Sequence, residues 1–291
     1  MKPSLRILAL LVLSAAASLP GCIQAEEAAT LMPDGSGKLT MTIGLKKSMI
    51  DMIRELGKAG GDEKPADPFD QFKDPAKLKA NSEGIVAWGE PKKSEDNDWV
   101  RVSVSGYFED INKVKVYSEA NQGGDAQKKL SFAAKYEKAG DGGKLTMASE
   151  LTDDFRKMGK DAGAGGAGNE ELAKAMIEAM KPMLEGLKIS MSVTVPGPVE
   201  DTGGLLEKKD RKATFSLEGG TILDAMKDPK GPAAKKLEGF GQSSEKGTAI
   251  VWTKTTAGAD ELAAFKKEMA AAKESWEKRL KDAPAPKKED K

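Results

Sequence analysis

Hydrophobic and polar residues alternate along many short segments of the chain. From Lys38 to Leu45 every second residue is apolar, which predicts a strand with one buried face. Turn-forming residues at 33–37 precede it, so we expect an antiparallel hairpin with a short strand at 28–32. Comparable segments predict further strands at 84–89, 99–108, 114–118, 130–137, 144–150, 188–195, 213–217 and 249–255.

Four other segments carry apolar residues at helical spacing, at 49–56, 169–187, 222–226 and 258–281. We expect the last helix to dock on the chain's own sheet, with a partner helix as the alternative. Its apolar stripe consists of Leu262, Phe265, Met269, Ala272, Trp276 and Leu280. Residues 57–82 are predicted to form a surface loop, with one helical turn as an alternative within it. The pattern as a whole predicts an α+β fold, in which helices pack on a mostly antiparallel sheet and the C-terminal helix is long.

The first 21 residues have the three parts of a bacterial secretory signal. Lys2 and Arg6 make the start basic, residues 7–17 form an uncharged apolar run, and small residues follow. That run of 11 residues is too short for a membrane-spanning helix, which needs about 20. We therefore predict that residues 1–21 direct export and are removed.

The segment Leu19-Pro20-Gly21-Cys22 resembles the lipobox of bacterial lipoproteins. The resemblance implies cleavage between Gly21 and Cys22 and a diacylglycerol thioether on the Cys22 thiol. The protein would then be lipid-anchored to a cell-envelope membrane, on its periplasmic or extracellular face. Two or more acyl chains hold a protein durably, whereas one holds it weakly. The alternative is an incidental cysteine in a discarded peptide that is cleaved near Ala25.

Charge and composition disfavour several classes of function. The chain has 46 basic and 46 acidic side chains and no histidine. Balanced, interspersed charges are not typical of nucleic-acid binding, so we expect no nucleic-acid partner. Without histidine, and with its only cysteine acylated, the chain lacks the commonest general base, nucleophile pairs and zinc ligands. We predict no enzyme activity, no cofactor and no metal site.

Three local patterns admit both a functional and a structural interpretation. Gly163–Gly168 has the spacing of a dinucleotide-binding turn, but the sequence predicts no strand directly before it, which favours a flexible linker. The acidic segments 62–74 and 95–98 lack the spacing of a calcium loop and are interpreted as solvated loops. The third pattern is a methionine face formed by Met176, Met180, Met183 and Met191. Core packing is its main interpretation; copper binding and an adaptable face for a lipid or peptide are the alternatives.

Two short segments are similar to each other. Asp34–Met41 and Asp141–Met147 each place a glycine turn before an alternating strand. A duplicated hairpin would produce this similarity, and so would convergence on the same turn chemistry. We favour convergence, because repeat architectures show a sustained period and this similarity spans fewer than ten residues.

The order of elements after Cys22 resembles the LppM-type lipoprotein domain of exported bacterial proteins. The resemblance rests on the turn at 33–37 with its strand and helix, on the middle block of strands, and on the strand that ends at Pro196-Gly197-Pro198 before Asp201. It covers residues 22–220 or so. It implies one integrated domain at 22–282, with 163–168 as an insertion loop. The tail at 283–291 is rich in proline, lysine and acidic residues, and this composition predicts that it is disordered. No functional residue besides Cys22 carries over.

These observations favour a membrane-anchored envelope lipoprotein that binds or scaffolds a lipid or another envelope protein and has no catalytic activity. The alternative is a carrier or sensor of lipids or other apolar ligands, with a pocket between the methionine face and the sheet. A third hypothesis, an envelope enzyme that uses carboxylates or a Ser-Lys pair, predicts a cleft with converging polar side chains. The spacing of such residues in this sequence selects none of them.

Overall fold

The structure is a computed structural model that describes residues 23–59, 67–122, 125–148, 178, 181, 184, 186–203, 206–228, 230–235 and 248–283. Several predicted features lie outside these residues: the export signal with Gly21 and Cys22, the loop at 163–168, most of the helix at 169–187, and all of the tail except Ala283.

The larger sheet contains β1 (Ile23–Leu31), β2 (Gly37–Lys46), β4 (Ile85–Trp88), β5 (Lys92–Glu95), β6 (Trp99–Phe108), β10 (Lys188–Thr194), β11 (Glu207–Lys209) and β12 (Lys212–Glu218). Its strand order is β11-β12-β10-β1-β2-β6-β4, and β5 pairs with β6 as well. All pairs are antiparallel except β1 with β10, which run parallel. The first strand therefore lies in the middle of the sheet.

The smaller sheet contains β3 (Ser82–Glu83), β7 (Lys115–Gln122), β8 (Asp125–Ala139), β9 (Gly142–Ala148) and β13 (Thr248–Trp252). Its order is β13-β9-β8-β7-β3, with every pair antiparallel. The α-helices with described bounds are α1 (Lys47–Ala59), α2 (Asp70–Lys73), α3 (Pro75–Ala80), α4 (Gly219–Lys227) and α5 (Ala259–Asp282). The predicted α+β class, with mainly antiparallel sheets and a long C-terminal helix, is confirmed.

The described part of residues 57–82 is more helical than the predicted surface loop with one helical turn, because it contains α2, α3 and the end of α1. Pro75 begins α3, and the carboxylate of Asp74 accepts hydrogen bonds from the backbone N–H groups of Ala76 and Lys77. An aspartate at the N-cap followed by proline at the first helical position is a standard helix start. The sparse apolar residues of this segment serve as anchors, because Phe69, Phe72 and Leu78 are all buried.

Two clusters of buried side chains form the core. The first lies between the two sheets and includes Val193 and Ala213 of the larger sheet with Phe132, Leu145 and Ile250 of the smaller one. The second joins β2 and β6 to the helices and includes Val102, Ile50, Leu78, Phe265 and Trp276. The first cluster thus fills the space between the two sheets, whereas the second reaches both faces of β6, because Val102 and Tyr107 lie on opposite faces of that strand.

Helix α5 packs against the larger sheet, as predicted from its apolar stripe. Phe265 stacks on Tyr107 of β6 with 6.3 Å between ring centroids. Glu261 near the start of the helix accepts two hydrogen bonds from Arg211, at 2.8 and 2.9 Å. Near its other end, Arg279 donates to the carbonyl oxygen of Gly89 at 2.8 Å. Hydrogen bonds therefore hold the helix to the rest of the fold near both ends, and its apolar stripe packs against the chain's own core.

Candidate functional site: an apolar groove around Glu27

Alternate residues of the five central strands form one apolar face of the larger sheet, because side chains in a strand point to opposite faces in turn. Three neighbouring rows of paired residues cross this face, from β12 through β10, β1 and β2 to β6. They are Leu217, Ile189, Ala25, Ile43 and Val102; then Phe215, Met191, Glu27, Met41 and Val104; then Ala213, Val193, Ala29, Leu39 and Gly106. Glu27, in the middle row, is the one charged residue on this face of these five strands.

Glu27 has an unusual setting for a carboxylate. Its neighbours in register are Met191 on β10 and Met41 on β2, and Ala25 and Ala29 precede and follow it on its own face. Within the described residues no side chain or backbone group donates a hydrogen bond to it, and no cation forms an ion pair with it. Desolvation by the surrounding protein raises the pKa of its carboxyl group from 4.5 to about 7. A desolvated charge without a partner is costly, and groups with shifted pKa values concentrate at functional sites.

Exposure along the three innermost strands distinguishes a half-buried strip, which is called the groove below. At the row of Ala29, the residues of β10, β1 and β2 are all buried. At the rows of Glu27 and Ala25 the corresponding residues are half-buried, and Ile23, at the start of β1, is 37% exposed. Along these strands the side chains on this face thus change from buried, at the row of Ala29, to partly exposed, at Ile23. The distance between the two is about 20 Å, at roughly 3.3 Å per residue. The groove is closed near Ala29 and opens at the start of β1.

The strands on either side of the groove are covered more completely. On one side, Phe215 and Leu217 of β12 are buried in the same cluster as Ile222 and Leu223 of helix α4. On the other side, Val102 and Val104 of β6 are buried together with Met49 and Ile50 of helix α1. The half-buried strip is therefore bounded on both sides by strands that are covered more completely.

The opposite face of the same strands is polar. Next to Glu27 in sequence, Glu26 and Ala28 are exposed on this second face. Their neighbours on β2 and β10 are hydroxyl residues, Thr42 and Thr40 on one side and Ser190 and Ser192 on the other. Glu26 and Ala28 consequently serve as matched controls for substitutions at Glu27 and Ala25, since each pair shares a strand and differs in the face it occupies.

The structure places only some of the predicted site residues. Met191 lies in the groove beside Glu27, half-buried and packed against the core between the sheets. Met176, Met180 and Met183 lie outside the described residues, as do Gly21 and Cys22, so their predicted roles stay predictions. Ile23 is already paired in β1, opposite Leu45. An acyl group on Cys22 would therefore join the chain one residue before the central strand.

The alternation in the sequence indicates which face Glu27 occupies, but the predicted first strand began at residue 28 and left Glu27 out. We expected the first strand at 28–32, but β1 begins at Ile23. Extended to that point, the alternation that buries Ala29 and Leu31 places Glu27 on the same face. The remaining residues of this stretch are small or polar, so their hydrophobic period is weak, and pairing with strands on both sides determines the length of β1.

A second concave region is polar and its charges are balanced. It is a surface pocket of about 180 Å³ beside α1. Its charged residues are Lys47, Arg54, Lys93, Asp51, Asp67 and Glu95. The acids bind cations of the same chain: Asp67 pairs with Lys73, and Glu95 with Lys93. Hydrogen bonds from Lys93 are the main reason that the pKa of Glu95 is lowered. This pocket offers neither a net charge nor an unpaired group to a ligand.

The described part of the chain contains no cluster of three or more His, Cys, Asp or Glu residues suited to holding a metal ion. In the same part, no helix combines the length and apolar character needed to cross a bilayer.

A scan against protein-family models gives no match, and a search of curated proteins gives none either. Among solved structures, the chain is similar to the folded domain of the LppM protein of Mycobacterium tuberculosis, determined by NMR. The two are 9% identical, the match covers 84% of this chain and 95% of that one, and the TM-score is 0.32. A likeness with so low a TM-score carries no conclusion about this chain, so the resemblance to the LppM-type domain and the single domain at 22–282 stay predictions.

Proposed function

We propose that this chain is an exported lipoprotein of the cell envelope, anchored through Cys22, whose domain binds an apolar ligand in the groove and catalyses no reaction. Of the two functions that the sequence leaves open, scaffolding and ligand carriage, the groove favours the second. The observation that carries the proposal is the half-buried strip of central strands between two covered ones.

The chemistry of the groove fits an aliphatic ligand. Its described floor consists of Ala25, Ile43, Ile189, Met41 and Met191, besides Glu27. Transfer of apolar surface from water contributes about 25 cal/mol per Å², so covering this floor with a hydrocarbon chain is favourable. Methionine side chains are flexible and polarizable, which suits a surface that receives ligands of varied shape.

The proposed anchor adds a reason for this location. The groove opens at the start of β1, and Cys22 immediately precedes Ile23, the first residue of that strand. Acyl chains on Cys22 would hold the open end of the groove within a few Å of the lipid surface, because one residue spans at most about 3.6 Å. An apolar ligand would then pass between bilayer and groove with little exposure to water.

The anchor is tested by replacing Cys22 with alanine. We expect the wild-type protein to be found in the membrane fraction and to have an intact mass that includes a diacylglycerol group. The Cys22→Ala variant should leave the membrane fraction, whereas the Ser18→Ala variant, changed outside the four lipobox residues, should remain there. A variant that stays in the membrane without Cys22, or a wild-type chain with a free Cys22 thiol, would refute the anchoring.

Ligand binding is tested with the fluorescent apolar probe N-phenyl-1-naphthylamine. Ala25 lies on the floor near the open end of the groove, so Ala25→Phe should fill it and weaken probe binding about tenfold, or 1.4 kcal/mol. Ala28→Phe adds the same group to the exposed polar face and should leave the affinity unchanged. Equal affinities for both variants, or no probe binding by the wild-type protein, would rule out the groove as the site.

A further inference from the structure

The groove contains one group that hydrocarbon binding does not require, the carboxylate of Glu27. Resting on the proposed function, we infer that the groove takes a single-chain amphiphile with a primary ammonium head, and that Glu27 pairs with this head at the inner part of the groove. The ligand class is thus a long-chain amine, distinct from a fatty acid, a fatty alcohol or a hydrocarbon.

Glu27 lacks a cationic partner within the described part of the chain. Every other residue on this face of the five central strands is uncharged, and none of the described lysines or arginines reaches the Glu27 carboxylate. This contrasts with the acids elsewhere: Glu268 binds Lys38, Glu261 binds Arg211, and Asp34 binds Lys266. The described residues therefore provide no cationic partner for the Glu27 carboxylate, and a cationic ligand would provide one.

The position of Glu27 along the groove suits a head group. Glu27 lies at the last half-buried row before the groove closes at Ala29, so a head group bound there has the apolar rows on its open side. From Glu27 to Ile23 is four residues, or about 13 Å at 3.3 Å per residue, which a saturated chain of roughly ten carbons spans. The head would bind at the closed end and the tail would extend along Ala25 and Ile23 towards the open end.

The energetics of burying the carboxylate select the charge of the head group. The half-buried Glu27 carboxylate loses its remaining hydration when a ligand fills the space around it, and a neutral chain forms no interaction that compensates for this loss. An ammonium head returns a charge-assisted hydrogen bond, which is roughly twice as strong as a neutral one. A fatty acid would place a second carboxylate beside the first, and like charges in one site oppose each other. The predicted order of affinity is amine, then alcohol, then carboxylate.

The test compares three ten-carbon probes, decylamine, decan-1-ol and decanoate, by isothermal titration calorimetry at pH 8. The protein is the mature chain, residues 22–291, with Cys22→Ser to prevent acylation. We expect decylamine to bind at least about tenfold more tightly than decanol, the size of one charged hydrogen bond. In the Glu27→Gln variant the two affinities should agree within about twofold, whereas Glu26→Gln, changed on the opposite face, should keep the preference.

The outcomes separate this inference from the proposed function. Decanol binding without a preference for decylamine, or a preference that survives Glu27→Gln, overturns the ammonium assignment and leaves an apolar groove. Failure of all three probes to bind overturns the groove itself and the assignment with it. Glu27→Gln removes a desolvated charge, so loss of folding does not explain a lost preference, and a thermal melt of each variant verifies this.

Discussion

At pH 8 the Glu27→Gln variant is expected to be more stable than the wild-type protein by about 3 kcal/mol in free energy of unfolding. The carboxyl of Glu27 has a pKa of about 7 in the folded chain against 4.5 as its ordinary value. The folded state therefore favours the protonated form. Below pH 4.5 both states are protonated and the charge costs nothing. As the pH rises from 4.5 through 7, the unfolded chain ionises first, and the stability of the wild-type protein falls. The uncharged glutamine does not titrate, so its variant avoids this loss.

Urea unfolding at pH 4.5 and pH 8, followed by tryptophan fluorescence, measures the effect. The two proteins should have nearly equal stability at pH 4.5 and should separate at pH 8. Glu26→Gln is the control, since the adjacent carboxylate is exposed on the polar face and should change stability by less than about 0.5 kcal/mol at either pH. A wild-type protein that is no less stable than Glu27→Gln at pH 8 would mean that Glu27 has a cation partner in the folded protein. The ammonium inference would then fail together with this prediction.

Phe108→Ala is expected to lower the free energy of unfolding by about 3–5 kcal/mol, the usual loss for a buried phenylalanine. Phe108 is fully buried at the end of β6, in the core cluster that both sheets share. Its ring lies over Gly37 of β2, where a Cβ atom would come within 2.5 Å of the ring. Alanine at position 108 would leave a cavity between the sheets that the backbone cannot easily close.

The matched variant Phe108→Leu keeps most of the volume and should cost only about 1–2 kcal/mol. Chemical unfolding of both variants should proceed in one transition, with the same midpoint by fluorescence and circular dichroism, because the sheets share this core. A loss below about 1 kcal/mol for Phe108→Ala, or two separate transitions, would argue that the two sheets are independently folding units. Such a result would also contradict the prediction of one domain at 22–282.

Strongly periodic segments were predictable from the sequence, and weakly periodic ones were not. Strand β6 coincides with its prediction at 99–108 because its valines alternate with polar residues throughout. The short strands β5 and β11 consist of charged and polar residues and have no apolar face. They form because neighbouring strands offer free hydrogen-bonding edges, which is a property of the assembled sheet. The local sequence of β5 and β11 therefore does not indicate that they pair with these neighbours.

Predicting the groove from the sequence would have required the same long-range information. Alternation on β2 and β10 predicted the apolar residues Met41 and Met191, but it did not show that the same residues face one another across a third strand. That strand is β1, whose parallel pairing with β10 was not predicted. The two methionines flank Glu27 only because of this pairing. Hydrophobic periodicity shows which residues of a strand share a face. It does not show which other strand, so far along the chain, will pair with it.

The parallel pairing of β1 with β10 also has a consequence for how the chain folds. Gln24 meets Lys188, about 160 positions later, although the β1–β2 hairpin closes over a short turn. Contacts between such distant positions slow folding, because loop-closure entropy is lost before the contact stabilises anything. During synthesis one edge of β1 has no partner until β10 appears, and unpaired edges promote aggregation. We therefore expect the pairing of β1 with β10 to be a late step in folding, and the β1–β2 hairpin to expose one edge until then.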